Sequence, residues 1–403
     1  MSMQNLLVQG GTSLVQDALG ASNWSTKPIA VSQSCIDNIA ATPNDPMRHQ
    51  TIVDASGLLV LPGMVDIHGD AFERQVQPRP DTIFAYDIAL ADTDRQLVAN
   101  GITTACHGLT YSWEGGLRGR DSAIALLEQV ARQRKTAHAD HRIHLRFENH
   151  HVDGLADALL WIQQGRIDCF AFNEHLPAIA KKSALPEKLA AYSERARCDA
   201  PTYLRRLQKA QARADQVPQV IATLARACRE RGVPMASHDD ETFLQRERYQ
   251  ELGVMISEFP RTQEALLTAM GLGNQVVMGA PNVLLGGSHC GGLSTEDAVK
   301  SGLCDILASD YYYPSMLHAA FKLAHLGLCT LAQAWCLVAQ NPARALGLED
   351  RGHIRNGGRA DMVLVEVSAA GTARLVATIA AGKVAYCADP ARLRMPHAYQ
   401  IAA

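Results

Sequence analysis

Eight short apolar runs, separated by helical stretches, punctuate the middle of this 403-residue chain. They are Met64–His68, Ile102–Cys106, His144–Glu148, Cys169–Phe172, Pro234–Ser237, Val254–Glu258, Gln275–Met278 and Asp305–Ser309. Helical patterns lie between them, at Asp121–Lys135, Gln219–Arg231, Thr262–Ala269 and Ser294–Ser301. Eight strands with intervening helices over roughly 250 residues fit a (β/α)8 barrel. A doubly wound sheet would want a Gly-rich phosphate turn after its first strand, and none is there.

The ends of the chain have another texture. Residues 1–57 and 350–403 are rich in β-formers, glycine and turn residues. They are expected to pair as one small β domain, a β-sandwich, flanking a barrel over 58–349. The polar, Arg-rich segment from Lys181 to Asp215 falls between strands four and five. It reads either as a lid or as a solvated helical excursion.

Composition narrows the function. Hydrophobic residues make up 47% and charged residues 20%, and the net charge is −3. That balance argues against a nucleic-acid or membrane-surface protein, which would carry a basic excess. No run of about 18 apolar residues suggests a membrane span. The 10 cysteines include no CxxC pair and lie scattered in apolar segments. Free thiols in a reducing, cytoplasmic setting are expected.

In a barrel the C-terminal strand ends share one face, and active sites form there. Strand one ends Pro62-Gly-Met-Val-Asp-Ile-His68-Gly-Asp70. Strand residues two apart point the same way, so His68 and Asp70 project together, half of a divalent-metal site. Glu148 ends strand three, His175 follows strand four, and His238 follows strand five. Glu258 lies on strand six, His289 in a Gly-rich loop after strand seven, and Asp310 after strand eight. A histidine or acid at nearly every strand end, among 15 histidines, is not scattered placement. The plainer alternatives are packing histidines at 175 and 238, a Glu148–Arg146 ion pair and a capping role for Asp310. His150 and His151 are adjacent, so at most one faces the site. His138, His141 and His144 read as exposed loop residues.

Longer strings carry a resemblance. Ala236-Ser-His-Asp-Asp240, Glu258-Phe-Pro260, Met278-Gly-Ala-Pro-Asn282, Gly286-Gly-Ser-His289, Asp305-Ile-Leu-Ala-Ser-Asp-Tyr311 and Asn341-Pro-Ala-Arg-Ala-Leu-Gly-Leu348 stand in order. With the opening Pro-Gly-x-Val-Asp-x-His and the closing Gly-x-Ile-x-x-Gly-x-x-Ala-Asp, the chain resembles the amidohydrolase superfamily over nearly its whole length. Within it, the chain is most similar to the PhnM family of α-D-ribose 1-methylphosphonate 5-triphosphate diphosphatases. Three segments depart from what the resemblance leads one to expect. His68-Gly69-Asp70 replaces the usual His-x-His, although Asp also occurs in the PhnM family. Residues 71–75 read Ala-Phe-Glu-Arg-Gln, and strand four ends Asn-Glu-His.

The resemblance implies a metal-dependent hydrolase acting on a phosphorylated small molecule. It implies one or two divalent ions, zinc first, with manganese, iron or nickel as alternatives. The implied ligands are His68, Asp70, Glu148, His175, His238 and Asp310, with Glu148 bridging two ions. Asp310 and His238 are the implied catalytic residues, Asp310 as the base. Arg79, Arg118, Arg120, Glu258 and His289 are the implied substrate contacts. A homodimer is the implied assembly. The rival activity on the same fold is hydrolysis of a C–N bond, by a deaminase or cyclic-amide hydrolase.

Overall fold

A computed structural model describes residues 5–17, 19–41, 50–79, 82–287 and 294–394. All eight expected strands are present: β1 (Met64–Gly69), β2 (Ile102–Tyr111), β3 (Asp140–Glu148), β4 (Cys169–Asn173), β5 (Met235–His238), β6 (Ile256–Glu258), β7 (Gln275–Gly279) and β8 (Ile306–Ala308). They pair in chain order, each parallel to the next. A parallel bridge between Gly69 and Asp310 closes β8 onto β1. The protein is a (β/α)8 barrel.

Most of the strands are apolar on both faces because both are covered. Inside, the packing is mostly of small and branched side chains: Val65, Ile67, Cys106, Ala171, Ala236, Ile256, Val277 and Ala308. Outside, Ile143, Leu145 and Phe147 of β3 and Phe170 and Phe172 of β4 pack with the helix Val217–Arg231. That helix buries Val217, Val220, Ile221, Leu224, Ala225 and Cys228, one stripe at helical spacing. Burying a side chain such as Leu224 contributes about 1.5–3 kcal/mol. Gly232 ends the helix at φ 64°, the left-handed turn that glycine adopts without a Cβ clash.

β3 begins at Asp140, earlier than its apolar pattern suggested. His141 and His144 are therefore fully buried strand residues, not loop residues, while His138 is half exposed. The remaining face of β3 is polar throughout: Arg142, His144, Arg146 and Glu148 alternate with Ile143, Leu145 and Phe147.

Strands from both ends of the chain build two further sheets. One has the order Leu393–Arg394, Gln50–Asp54, Asn5–Gln9, Ile29–Ser32, Cys35–Asn38. The other runs Lys383–Cys387, Ala373–Ala380, Met362–Val367, Leu59–Pro62, Thr12–Gln16, Ser22–Ser25. Leu6, Val8, Ile29, Val31, Val60, Met362, Leu364 and Ile379 form one core between them. No described helix is long and apolar enough to cross a membrane.

Between β4 and β5 stand the helices Leu176–Lys182, Pro186–Arg195 and Ala200–Gln211. They share a small core of Leu176, Ile179, Ala196, Tyr203 and Leu207, which also holds Trp113 from the β2 loop. Glu114 beside it is buried and is met by Arg118 at 3.1 Å, by the Tyr203 hydroxyl at 3.2 Å and by Arg195. This one carboxylate ties the helical excursion to the barrel. The charged segment is thus a helical excursion, largely exposed on its outer face and fastened beside the strand ends by its buried stripe and by Glu114.

Candidate metal centre

The ends of β1, β3, β5, β6 and β8 converge. A register shift between Asp66 and Gly69 interrupts β1. Such bulges re-aim side chains. Here His68 and Asp70 do meet, with Nε2 and Oδ1 3.8 Å apart. Asp310 is held from both sides by β1: its N–H donates to the His68 carbonyl at 3.0 Å, and its own carbonyl accepts from the Asp70 N–H at 2.6 Å.

Three non-glycine residues in the left-handed region follow strand ends: Asp239 (φ 62°), Phe259 (φ 53°) and Asp310 (φ 54°). That conformation is uncommon outside glycine and gathers where a side chain must be aimed against local preference. At Asp239 it explains an otherwise odd result. Neighbouring strand residues should face opposite ways, yet Asp239 lies 3.8 Å from both His238 and His175.

Glu258 is the hub beneath these groups, fully buried. Its Oε2 accepts from His68 Nδ1 at 3.1 Å and from His238 Nδ1 at 3.4 Å. Burial would raise this carboxyl's pKa, but the facing His144 and His68 hold it well below the usual range. His144 donates Nδ1–H to the Ile67 carbonyl at 3.0 Å, leaving Nε2 3.6 Å from Glu258 Oε1. Burial depresses His144 to about 4, so at neutral pH a ring lone pair faces a carboxylate oxygen.

Buried atoms without a hydrogen-bond partner here include four of metal-ligating type, His68 Nε2, Asp70 Oδ1, His144 Nε2 and Glu258 Oε1, with Arg146 Nε beside them. Leaving such groups unpaired in a buried site is costly. His144 Nε2 and Glu258 Oε1 face each other at 3.6 Å, whereas His68 Nε2 and Asp70 Oδ1 are the two that a cation would pair. Among the described residues three groups have ligand atoms within 4.8 Å of one another: His68, His144 and Glu258; His68, Asp70 and Asp310; and His175, His238 and Asp239. A divalent cation fits this donor set, since histidine nitrogen and carboxylate oxygen suit zinc, manganese, iron or nickel.

The site opens into a cavity of about 1180 Å³. Asp70, Arg146, His175, His238, Asp239 and Asp310 line its floor. Arg118, Lys182, Arg195, Arg248 and Arg261 stand on its walls. Lys182 and Arg248 form no ion pair with any described residue.

Several expected residues sit elsewhere. Glu148 belongs to none of the three groups; its carboxylate accepts from the backbone N–H groups of His175 and Leu176 at 3.1 and 3.3 Å. The carboxylate that meets the His68 and His238 rings is Glu258, while Glu148 Oε2 lies 3.5 Å from His175 Nδ1. Burial pushes Glu148 up to about 8. Its expected partner Arg146 turns instead to Asp70, at 2.5 Å. Glu258 lies below the histidines and does not line the cavity. Arg79 is exposed and bonded to Thr82, and Arg120 is exposed and paired with Asp157 at 2.8 Å, so neither reaches the cavity. His150 approaches Glu174 and His151 packs on Tyr111, outside the three groups. His289 lies outside the described residues. Sequence reasoning missed His144 and Asp239, of which the alternating polar face of β3 could have revealed the first.

No family model matches the sequence. The chain is 33% identical over 374 residues to the α-D-ribose 1-methylphosphonate 5-triphosphate diphosphatase of Escherichia coli (strain K12), covering 90% of this chain and 94% of that protein. Its fold is similar to that of an amidohydrolase from an environmental sample of the Sargasso sea, at TM-score 0.62 and 15% identity over 95% of this chain and 93% of that one. It is also similar to dihydropyrimidinase from Brevibacillus agri, at TM-score 0.57 and 12% identity over 94% and 95% of the two chains.

Proposed function

This chain belongs to the family of the α-D-ribose 1-methylphosphonate 5-triphosphate diphosphatases, and from that premise we propose that it hydrolyses the 5-triphosphate of a ribose-bearing phosphonate to release pyrophosphate. The observation that carries the reading is the pairing of unpartnered buried ligand atoms with a cation-walled cavity above them. The chain is a hydrolase; the substrate and the point of cleavage are the proposal.

His68 Nε2, Asp70 and Asp310 would hold a divalent ion, with His175, His238 and Asp239 beside them. Such an ion polarises a phosphoryl oxygen and lowers the pKa of a bound water toward about 7. The chain's own residues do the rest. Glu258 fixes the His68 and His238 rings by their Nδ1 atoms, so each presents Nε2 upward. Asp310 takes the proton of the attacking water, a role suited to a carboxylate whose pKa burial raises. The new bond forms to the α-phosphorus and the bond to the bridging oxygen breaks. Pyrophosphate leaves with the electron pair, and the proton passes from Asp310 to it or to solvent. Lys182 and Arg248 on the cavity wall, neither in a contact ion pair with a described residue, are the cations for the departing phosphates, the preorganised charge such a leaving group needs. The cavity exceeds the common range of about 300–1,000 Å³ for ligand sites, which leaves room for a ribose and three phosphates.

Hydrolysis in oxygen-18 water tests the point of attack. Label in the ribose 5-phosphate product is expected; label in pyrophosphate alone would place attack on the β-phosphorus and overturn the assignment.

A further inference from the structure

The guanidinium of Arg146 spans two of the three ligand groups. One terminal nitrogen lies 2.5 Å from Asp70 Oδ2, in the group with His68 and Asp310. The other donates to His238 Nε2 at 3.1 Å, in the group with His175 and Asp239. Arg146 is 8% exposed and faces the cavity. Arginine stays charged under all ordinary conditions. Resting on the metal-centre reading above, we propose that Arg146 is a built-in cation that takes the place of a second metal ion, so that the centre binds one divalent ion per chain.

The reason is chemical and electrostatic. A second ion in the His175–His238–Asp239 group would need the Nε2 lone pair of His238. That lone pair already accepts from Arg146, and the other ring nitrogen faces Glu258. The ion would also sit within a few ångströms of a fixed positive charge, which repels it. Hydrolases with two ions use them to clamp both attacking and leaving oxygens. Here one ion and one guanidinium on the cavity floor divide that task, and Asp70 is shared between them. The first ion keeps His68 Nε2 and Asp70 Oδ1, neither of which has another partner.

Metal content measured by mass spectrometry after dialysis against micromolar manganese or zinc tests this without recourse to activity. About one ion per chain is expected for the unaltered protein. In Arg146→Gln the ratio should rise to about two, and Arg146→Lys, which keeps a charge on β3, should stay at about one. Two ions in the unaltered protein overturns the proposal. One ion in a folded Arg146→Gln overturns the role given to the guanidinium. No ion at all overturns the metal-centre reading itself. If Arg146→Gln does not fold, the ratios of the unaltered protein and of Arg146→Lys still decide it.

Discussion

Glu258 Oε2 stands 3.1 Å from His68 Nδ1, and this buried contact decides which ring nitrogen of His68 faces Asp70. A histidine whose Nδ1–H is held by a carboxylate presents a basic Nε2, and removing such a partner typically lowers metal affinity about 10–100-fold. Glu258→Gln should therefore weaken divalent-ion binding by about that factor in a chelator-competition titration. Unchanged affinity would remove Glu258 from its orienting role.

Asp310→Asn keeps the shape of the residue and its backbone bonds to β1 but removes the proton acceptor. Turnover should fall by about 10²–10⁴-fold in protein shown to carry metal, with the melting temperature nearly kept. Full turnover in this variant would contradict the assignment of Asp310 as base.

Glu148 gives a prediction with a sign. Burial pushes its carboxyl up to about 8, well above the ordinary glutamate range. A raised carboxyl contributes stability fully below the unfolded pKa, which is lost as pH rises through the folded one. In metal-free protein, Glu148→Gln should therefore melt higher relative to the unaltered chain as pH rises from about 4.5 to about 8, with the gap levelling off above that. A gap that does not change over this window would mean the carboxyl is not held protonated.

Glu114 fastens the helices between β4 and β5 through Arg118, Arg195 and Tyr203. Removing one partner of a buried ion pair costs about 3–5 kcal/mol locally. Glu114→Ala should speed amide exchange across 176–211 and raise KM more than it lowers kcat, because Lys182 and Arg195 of the cavity wall belong to this excursion. Exchange confined to the β2 loop would show that the helices hold themselves in place.

Much of this architecture was legible in the sequence. All eight barrel strands overlap the short runs that stand between helical patterns, and in most of them burial on both faces writes an unbroken apolar segment. His68, Asp70 and Asp310 meet at the strand ends, and His175 and His238 meet beside them with Asp239. β3 was harder to read, since its inner face is Arg142, His144, Arg146 and Glu148, and such alternation resembles an exposed strand or loop. That Glu258 lies beneath His68 and His238 was not legible either. Both Glu148 and Glu258 are acids at strand ends, and only the fold shows that Glu148 takes the His175 and Leu176 amides with the His175 ring beside it, while Glu258 takes the His68 and His238 rings. Asp239 was hidden by its left-handed backbone, which breaks the two-residue periodicity used to assign faces. Arg79 and Arg120 were chosen as cations near glycine and proline, a feature of many surface loops. Arg118 does line the cavity, and its other wall cations come from Lys182, Arg195, Arg248 and Arg261, on helices and turns that pattern alone does not place.

The most direct test of the central claim is product identification by phosphorus-31 NMR after incubating metal-loaded protein with a ribose 1-methylphosphonate 5-triphosphate. The account predicts pyrophosphate and a ribose 5-phosphate in equal amounts, abolished by chelation and restored by added divalent metal. Intact substrate from protein shown to carry metal, or orthophosphate as the first product, would contradict it.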